Sequence, residues 1–126
     1  MVKLLIIGLG GFIGAVCRYG VGGWVQRWGG GTFPYGTLIV NVTGCFLIGF
    51  ILMLSEQRQL FSPHTRLFLT VGILGAFTTF STFGYETLEL LRDRNLQAVA
   101  VNILANVMCG LLAVWAGVAL VRLVWK

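Results

Sequence analysis

The chain has 126 residues, of which 57% are hydrophobic and 10% charged, and its formal net charge is +5. A soluble domain carries about 25% charged residues, so an ordinary water-soluble globule is excluded, in keeping with a mean hydropathy of +0.89. A nucleic-acid-binding role is excluded too, because the Lys and Arg residues stand singly at the ends of apolar runs instead of forming one basic face.

No Asp, Glu, Lys or Arg occurs over 28–55, 67–85 or 95–121, and residues 4–26 carry only Arg18. A helix that crosses a bilayer needs about 20 mostly apolar residues. Four are predicted, over 4–26, 36–54, 63–91 and 97–122, and together they make residues 1–126 a single four-helix transmembrane domain. The first apolar run has no A-x-A-like cleavage site and outlasts a signal peptide, so it is read as helix one. Its Gly8-Leu-Gly10-Gly11-Phe-Ile-Gly14 stretch nearly spells a dinucleotide fingerprint. Ile13 stands where the third glycine belongs, however, and no βαβ unit surrounds it. The small pairs Gly10/Gly14 and Gly11/Ala15 instead predict close helix packing. Arg18 either snorkels to the interface or places a fixed positive charge near a pore mouth.

A glycine-rich turn over 28–35 follows, flanked by Trp24, Trp28 and Tyr35, aromatics suited to the membrane–water interface. Pro34 suits the start of helix two. There Thr37 and Asn41 lie one turn apart on one face. The Asn41 amide either offers two donors to an anion or forms a helix–helix hydrogen bond worth about 0.6–2 kcal/mol. Ser62-Pro63 reads as an N-cap and first-turn proline opening helix three.

Helix three is too long for one straight crossing. Residues 62–91 would span about 45 Å at 1.5 Å per residue, against a hydrocarbon thickness of about 30 Å. The helix must tilt and protrude, or break, and Gly72, Gly75 and the Thr78-Thr79 pair offer a place to break. Backbone carbonyls at such a break can coordinate a cation. Beyond it, Phe80 and Phe83 share a face, while Ser81, Thr82 and Glu86 form a polar strip. Ring edges carry positive potential, so the two phenylalanines are either core or a weak anion surface of the kind conduction requires. Helix four repeats a polar, small stripe with Asn102, Asn106 and Gly110. Polar stripes on three helices together point to the lining of a path.

Cys17, Cys45 and Cys109 are odd in number and show no CxxC spacing, so they are read as buried thiols rather than a metal or disulfide frame. His64 is the only histidine and has no evident nucleophile partner, so no enzyme is expected. With four passes, Lys3, Arg58, Arg66, Arg122 and Lys126 fall on one side, and Arg27, Arg92 and Arg94 on the other. That bias is weak, compatible with a fixed inside-in topology or with insertion both ways up.

Three stretches carry a family resemblance: GGFIGAVCRY (10–19), GTLIVNVTG (36–44) and GILGAFTTFSTFGYET (72–87). The sequence resembles the small bacterial fluoride channels of the CrcB/Fluc family over essentially its full length. The resemblance implies an all-α antiparallel dual-topology homodimer in the bacterial cytoplasmic (inner) membrane, with helix three broken mid-membrane. It also implies two pathways that passively export fluoride. On this reading Phe80 and Phe83 present ring edges to the ion, Asn41 lines the pore and Arg18 stands near the aqueous vestibule. Ser81 and Thr82 continue the polar track, and Asn102 and Asn106 align with its helix-four positions. A structural sodium ion would be held by the backbone carbonyls of Gly75 and Thr78 from each subunit. The chain departs from relatives at Ala76 (often Gly), at Gly84 (often Ser), and at Asn102 and Asn106, where relatives use Tyr and Ser. Glu86, the one carboxylate at pore depth, must be neutral, turned aside or hydrogen-bonded near the interface. A small multidrug transporter is the runner-up, but it needs an acid in helix one, where this chain has Arg18. A non-transporting packing subunit is the third reading.

Overall fold

The computed structural model describes residues 1–125; Lys126, counted above among the basic residues of the terminal side, lies outside them. Four helices are long and apolar enough to cross a membrane: Val2–Gly29, Tyr35–Arg58, Pro63–Arg92 and Leu96–Val124. The chain is thus a multi-pass, all-helical membrane protein among its described residues.

The helices outrun the predicted apolar segments at most ends. The second continues through Ser55, Glu56, Gln57 and Arg58 before Gln59 turns left-handed at φ 49°. Hydropathy marks where hydrocarbon stops, whereas a helix continues into the wet interface until a residue can leave it. The first ends where Gly30 and Gly31 adopt φ 59° and 66°, a region glycine enters without steric cost. The turn that follows is closed by one side chain: Gln26 Nε2 donates to the Phe33 carbonyl at 3.0 Å, and its Oε1 accepts from Gly36 N at 3.1 Å. Pro34 sits just outside the second helix as its N-cap, one position earlier than first-turn placement. Ser62 does cap the third, its Oγ accepting from Thr65 N at 3.1 Å.

Small residues set the crossings. The first helix lies on the Phe68–Phe77 part of the third, with Gly10 and Gly14 buried against the backbone of Phe68, Gly72 and Ile73. The second and fourth helices share a comparably extensive contact, through Gly49 against Val114 and Gly117 against Phe46, Gly49 and Phe50. Such backbone-to-backbone approach is how helices associate in lipid, where apolar burial supplies little drive. The apolar interior is accordingly thin: Val40, Leu54, Leu74, Phe77, Phe83, Leu90 and Val121. The chain exposes 8177 Å², against about 6,600 Å² for a compact soluble monomer of its mass. The excess is apolar helix face. Cys17 and Cys109 lie on it, and Cys45 is half-buried, so the expectation of three buried thiols is corrected. In a bundle one helix deep, each helix keeps an outward face.

Phe68–Leu74 and Ala105–Cys109 are π-helical, widened by one residue per turn. Past the first of these, the chain leaves helical geometry at Thr78 (φ −82°, ψ 157°) and Thr79 (φ −151°, ψ 115°), then resumes as Phe80–Arg92. Around this two-residue interruption the polar side chains gather.

Candidate functional site

Two consecutive extended residues strand the peptide groups on either side, and in an apolar setting each must find a partner. Asn41, projecting from the second helix, satisfies those of Thr79. Its Oδ1 accepts from Thr79 N at 2.8 Å and its Nδ2 donates to the Thr79 carbonyl at 3.1 Å. A side-chain amide carries the same donor and acceptor as a peptide, so it can pair with a backbone unit as a neighbouring strand would. The Thr79 hydroxyl then restarts the helix, accepting from Thr82 N at 3.2 Å and donating to Thr82 Oγ1 at 2.9 Å. Ser81 Oγ lies 3.3 Å from the same hydroxyl.

The same bonds release two carbonyls. In an uninterrupted helix Gly75 O would accept from Thr79 N, and Thr78 O from Thr82 N. Here Thr79 N goes to Asn41 and Thr82 N to the Thr79 hydroxyl. Gly75 O and Thr78 O are left without their helical donors. Gly75 and Thr78 border one cleft of about 370 Å³, shared with Asn41, Phe80, Phe83 and Asn106.

Phe80 and Phe83 sit next to each other, with ring centroids 5.4 Å apart and planes tilted by 52°. They are not equivalent. Phe83 is 9% exposed and part of the interior, whereas Phe80 is 83% exposed on the protein surface. In an α-helix, residues three apart differ by about 60° around the axis, which turns one ring inward and leaves the other at the rim.

A second cleft, of about 500 Å³, also borders Thr79. Arg18, Thr82, Glu86, Gln26 and Thr37 border it, and Thr79 borders both clefts. Arg18 makes no ion pair with the described residues. Glu86 is held by Thr37, whose Oγ1 donates to Oε1 at 2.8 Å, while Oε2 is buried without a partner among the described residues.

The polar stripe of the fourth helix connects to the interruption rather than opening to a cleft along its length. Asn106 Oδ1 accepts from Asn41 Nδ2 at 3.1 Å, and Asn106 Nδ2 donates to Asn102 Oδ1 at 3.0 Å. Asn102 is 1% exposed, with its amide donating to Thr87 Oγ1 at 2.9 Å. The structure therefore gathers Asn41, Phe80, Phe83, Asn106, Gly75 and Thr78 around one cleft, places Arg18 and Thr82 on the other, and withdraws Asn102 from both. Ser81 is exposed beside Thr79. Sequence reasoning missed Thr79 as the joint between the clefts and Thr87 altogether. A threonine just before a helical run is an N-cap signal, so Thr79 was findable. Thr87 has no such local mark.

The family model "CrcB-like protein, Camphor Resistance (CrcB)" matches residues 5–118. The chain is 50% identical over 117 residues to "Fluoride-specific ion channel FluC 3" of Methanosarcina barkeri, covering 93% of this chain and 88% of that one. It is 47% identical over 122 residues to the protein named "Fluoride-specific ion channel FluC" of Geotalea daltonii, covering 97% and 98%. With the protein of the same name from Clostridium perfringens it shares 48% over 121 residues, covering 96% and 94%. The match spans the polar interruption and all four apolar helices, and the chain belongs to the CrcB family.

Proposed function

We propose that the chain is a fluoride-selective channel, a passive exit for fluoride across the cytoplasmic membrane of a bacterium. The observation that carries this reading is the arrangement at Thr78-Thr79. A ring pair, a threonine hydroxyl cluster and an asparagine amide meet at one gap in a helix, with two clefts bordering it. The names of the relatives supply the ion; this arrangement supplies a reason for it. Ring edges and hydroxyls hold a small anion weakly, so that it can leave as well as enter.

On this reading Arg18 draws anions into the wider cleft. Thr82 and Ser81 pass them along, and Phe80 and Phe83 flank the ion beside Asn41. Asn106 joins the path through Asn41. The exposed Phe80 ring and the exposed Gly75 support a second copy at this face. We place that copy upside down, because the charge bias between the two ends is weak. The assembly is then an antiparallel homodimer with two pathways, its third helix interrupted near the membrane centre.

The freed carbonyls of Gly75 and Thr78 fit a structural sodium ion, since they are hard oxygen donors without helical partners and they border the face where two copies would meet. Such an ion would supply fixed positive charge at the centre of an anion pathway.

Glu86 borders the wider cleft as the one carboxyl group among groups that favour an anion. Thr37 holds one of its oxygens in a hydrogen bond, which supports a role in packing rather than in contact with the ion. Glu86→Gln keeps an acceptor for the Thr37 hydroxyl. Fluoride efflux from proteoliposomes is expected to stay within the same order as wild type; abolition would assign the carboxyl group itself to conduction.

A further inference from the structure

The asparagines of the fourth helix have partners that fix which way each amide faces. At one end, Thr79 N can only donate, so Asn41 must turn Oδ1 towards it, at 2.8 Å. Asn41 Nδ2 then points away, towards Asn106, which must answer with Oδ1, at 3.1 Å. Asn106 Nδ2 in turn meets only acceptors, the backbone carbonyl and the Oδ1 of Asn102, both at 3.0 Å. Asn102 is left with Nδ2 facing Thr87 Oγ1 at 2.9 Å. At the other end, Thr87 gives its one hydroxyl proton to the Phe83 carbonyl at 2.7 Å, so towards Asn102 it can only accept. A carbonyl can only accept and an amide N–H can only donate. With both ends set, each amide between them has a single satisfied orientation.

We propose that Thr87, Asn102 and Asn106 are positioning residues: an oriented hydrogen-bond ladder that sets the direction of the Asn41 amide from the far side of the bundle. The ladder starts and finishes on the third helix, at Phe83 and at Thr79, on either side of the first turn after the interruption. It therefore ties the backbone beneath one ring to the peptide group that the interruption strands. Both hydrogens of the Asn41 amide are engaged, one by the Thr79 carbonyl and one by Asn106 Oδ1. A rotated Asn41 would set its NH₂ against Thr79 N and leave that N–H without its acceptor. Asn102, fully buried with its amide oxygen and one amide hydrogen engaged, acts only through its neighbours.

This inference rests on the fluoride reading for its functional consequence but not for its geometry, and the test separates the two. The chain has four asparagines, Asn41, Asn95, Asn102 and Asn106. Asparagine-selective ¹⁵N labelling in detergent micelles or nanodiscs thus gives a small set of side-chain amide signals. Thr87→Val keeps the shape of the side chain and removes the hydroxyl. The expected result is displacement of the Asn41 and Asn106 signals as well as that of Asn102, with Asn95 unmoved. Thr87→Ser should restore all three. In proteoliposomes the Val variant should lose fluoride flux by about fivefold, the scale of one net hydrogen bond, and the Ser variant should recover it. Displacement confined to Asn102, or wild-type flux in Thr87→Val, would overturn the proposal. If the Val variant does not yield folded protein, Thr87→Ala takes its place under the same criteria. A wild-type protein that fails to conduct would count against the channel reading alone, since the amide signals still report the ladder.

Discussion

Gly117→Val is expected to yield no folded protein. A Cβ at Gly117 would press on the Phe46 carbonyl oxygen and come within 2.8 Å of Phe50 N, both backbone atoms of the second helix. Neither can turn aside as a side-chain tip would. The facing Gly49 would bring its own Cβ against the Val114 carbonyl, so the two helices have no slack to move into. Overpacking a core by a methylene or so costs about 1–3 kcal/mol, and a branched side chain against rigid backbone goes beyond that range. Total stabilities are about 5–15 kcal/mol, and this is one of the two most extensive helix contacts in the molecule. Recovery of a monodisperse peak after detergent extraction measures the effect. Gly8→Val is the control, since a Cβ there meets nothing within 4 Å, and it should be recovered like wild type. Good recovery of Gly117→Val would mean that the second and fourth helices do not pack as described.

Phe80→Ile separates the conduction role from the packing role more cleanly than any change at Phe83. Phe83 belongs to the interior and its loss would leave a cavity, costing about 3–5 kcal/mol on full truncation. Phe80 is mostly exposed within one chain, so isoleucine leaves the fold of the single chain in place. What disappears is the ring edge, with its positive potential, at the cleft. The expected result is recovery like wild type with fluoride flux reduced at least about tenfold, equivalent to about 1.4 kcal/mol of ion stabilisation. Unchanged flux would reduce Phe80 to a surface residue with no part in conduction.

The broad architecture was legible because it depends on a long-range property of composition. Charge-free stretches can be read without knowing what they touch, and they located the four helices to within a few residues. The ends were less legible: Ser55 to Arg58 are polar yet helical, because the interface lets a helix continue. Thr78 and Thr79 could be singled out, with Gly72 and Gly75, as a place to leave the helix, from the length of the third span. The π-helical widening over Phe68–Leu74 could not, since an i→i+5 pattern uses the same residue types as an α-helix.

The site was legible in its membership more than in its wiring. Asn41, Phe80, Phe83, Gly75, Thr78 and Asn106 do border one cleft. Yet the spacing of Asn102 and Asn106 showed only that they share a face, not what that face meets. Their partners stand on other helices: Thr87 is 15 positions from Asn102, and Asn41 is 65 from Asn106. A one-dimensional stripe reads equally as the lining of a path or as a buried ladder. Only the fold shows that Asn102 is sealed inside while Arg18 and Thr82 face a separate cleft.

On the function proposed above, the interrupted helix serves as a weak, selective passage for fluoride. Purified wild-type protein in liposomes loaded with fluoride, or with chloride in a parallel set, tests it directly. When a potassium ionophore relieves the charge imbalance, fluoride is expected to leave quickly while chloride stays inside. Fluoride retained as in protein-free vesicles, or chloride leaving at the same rate, would contradict it.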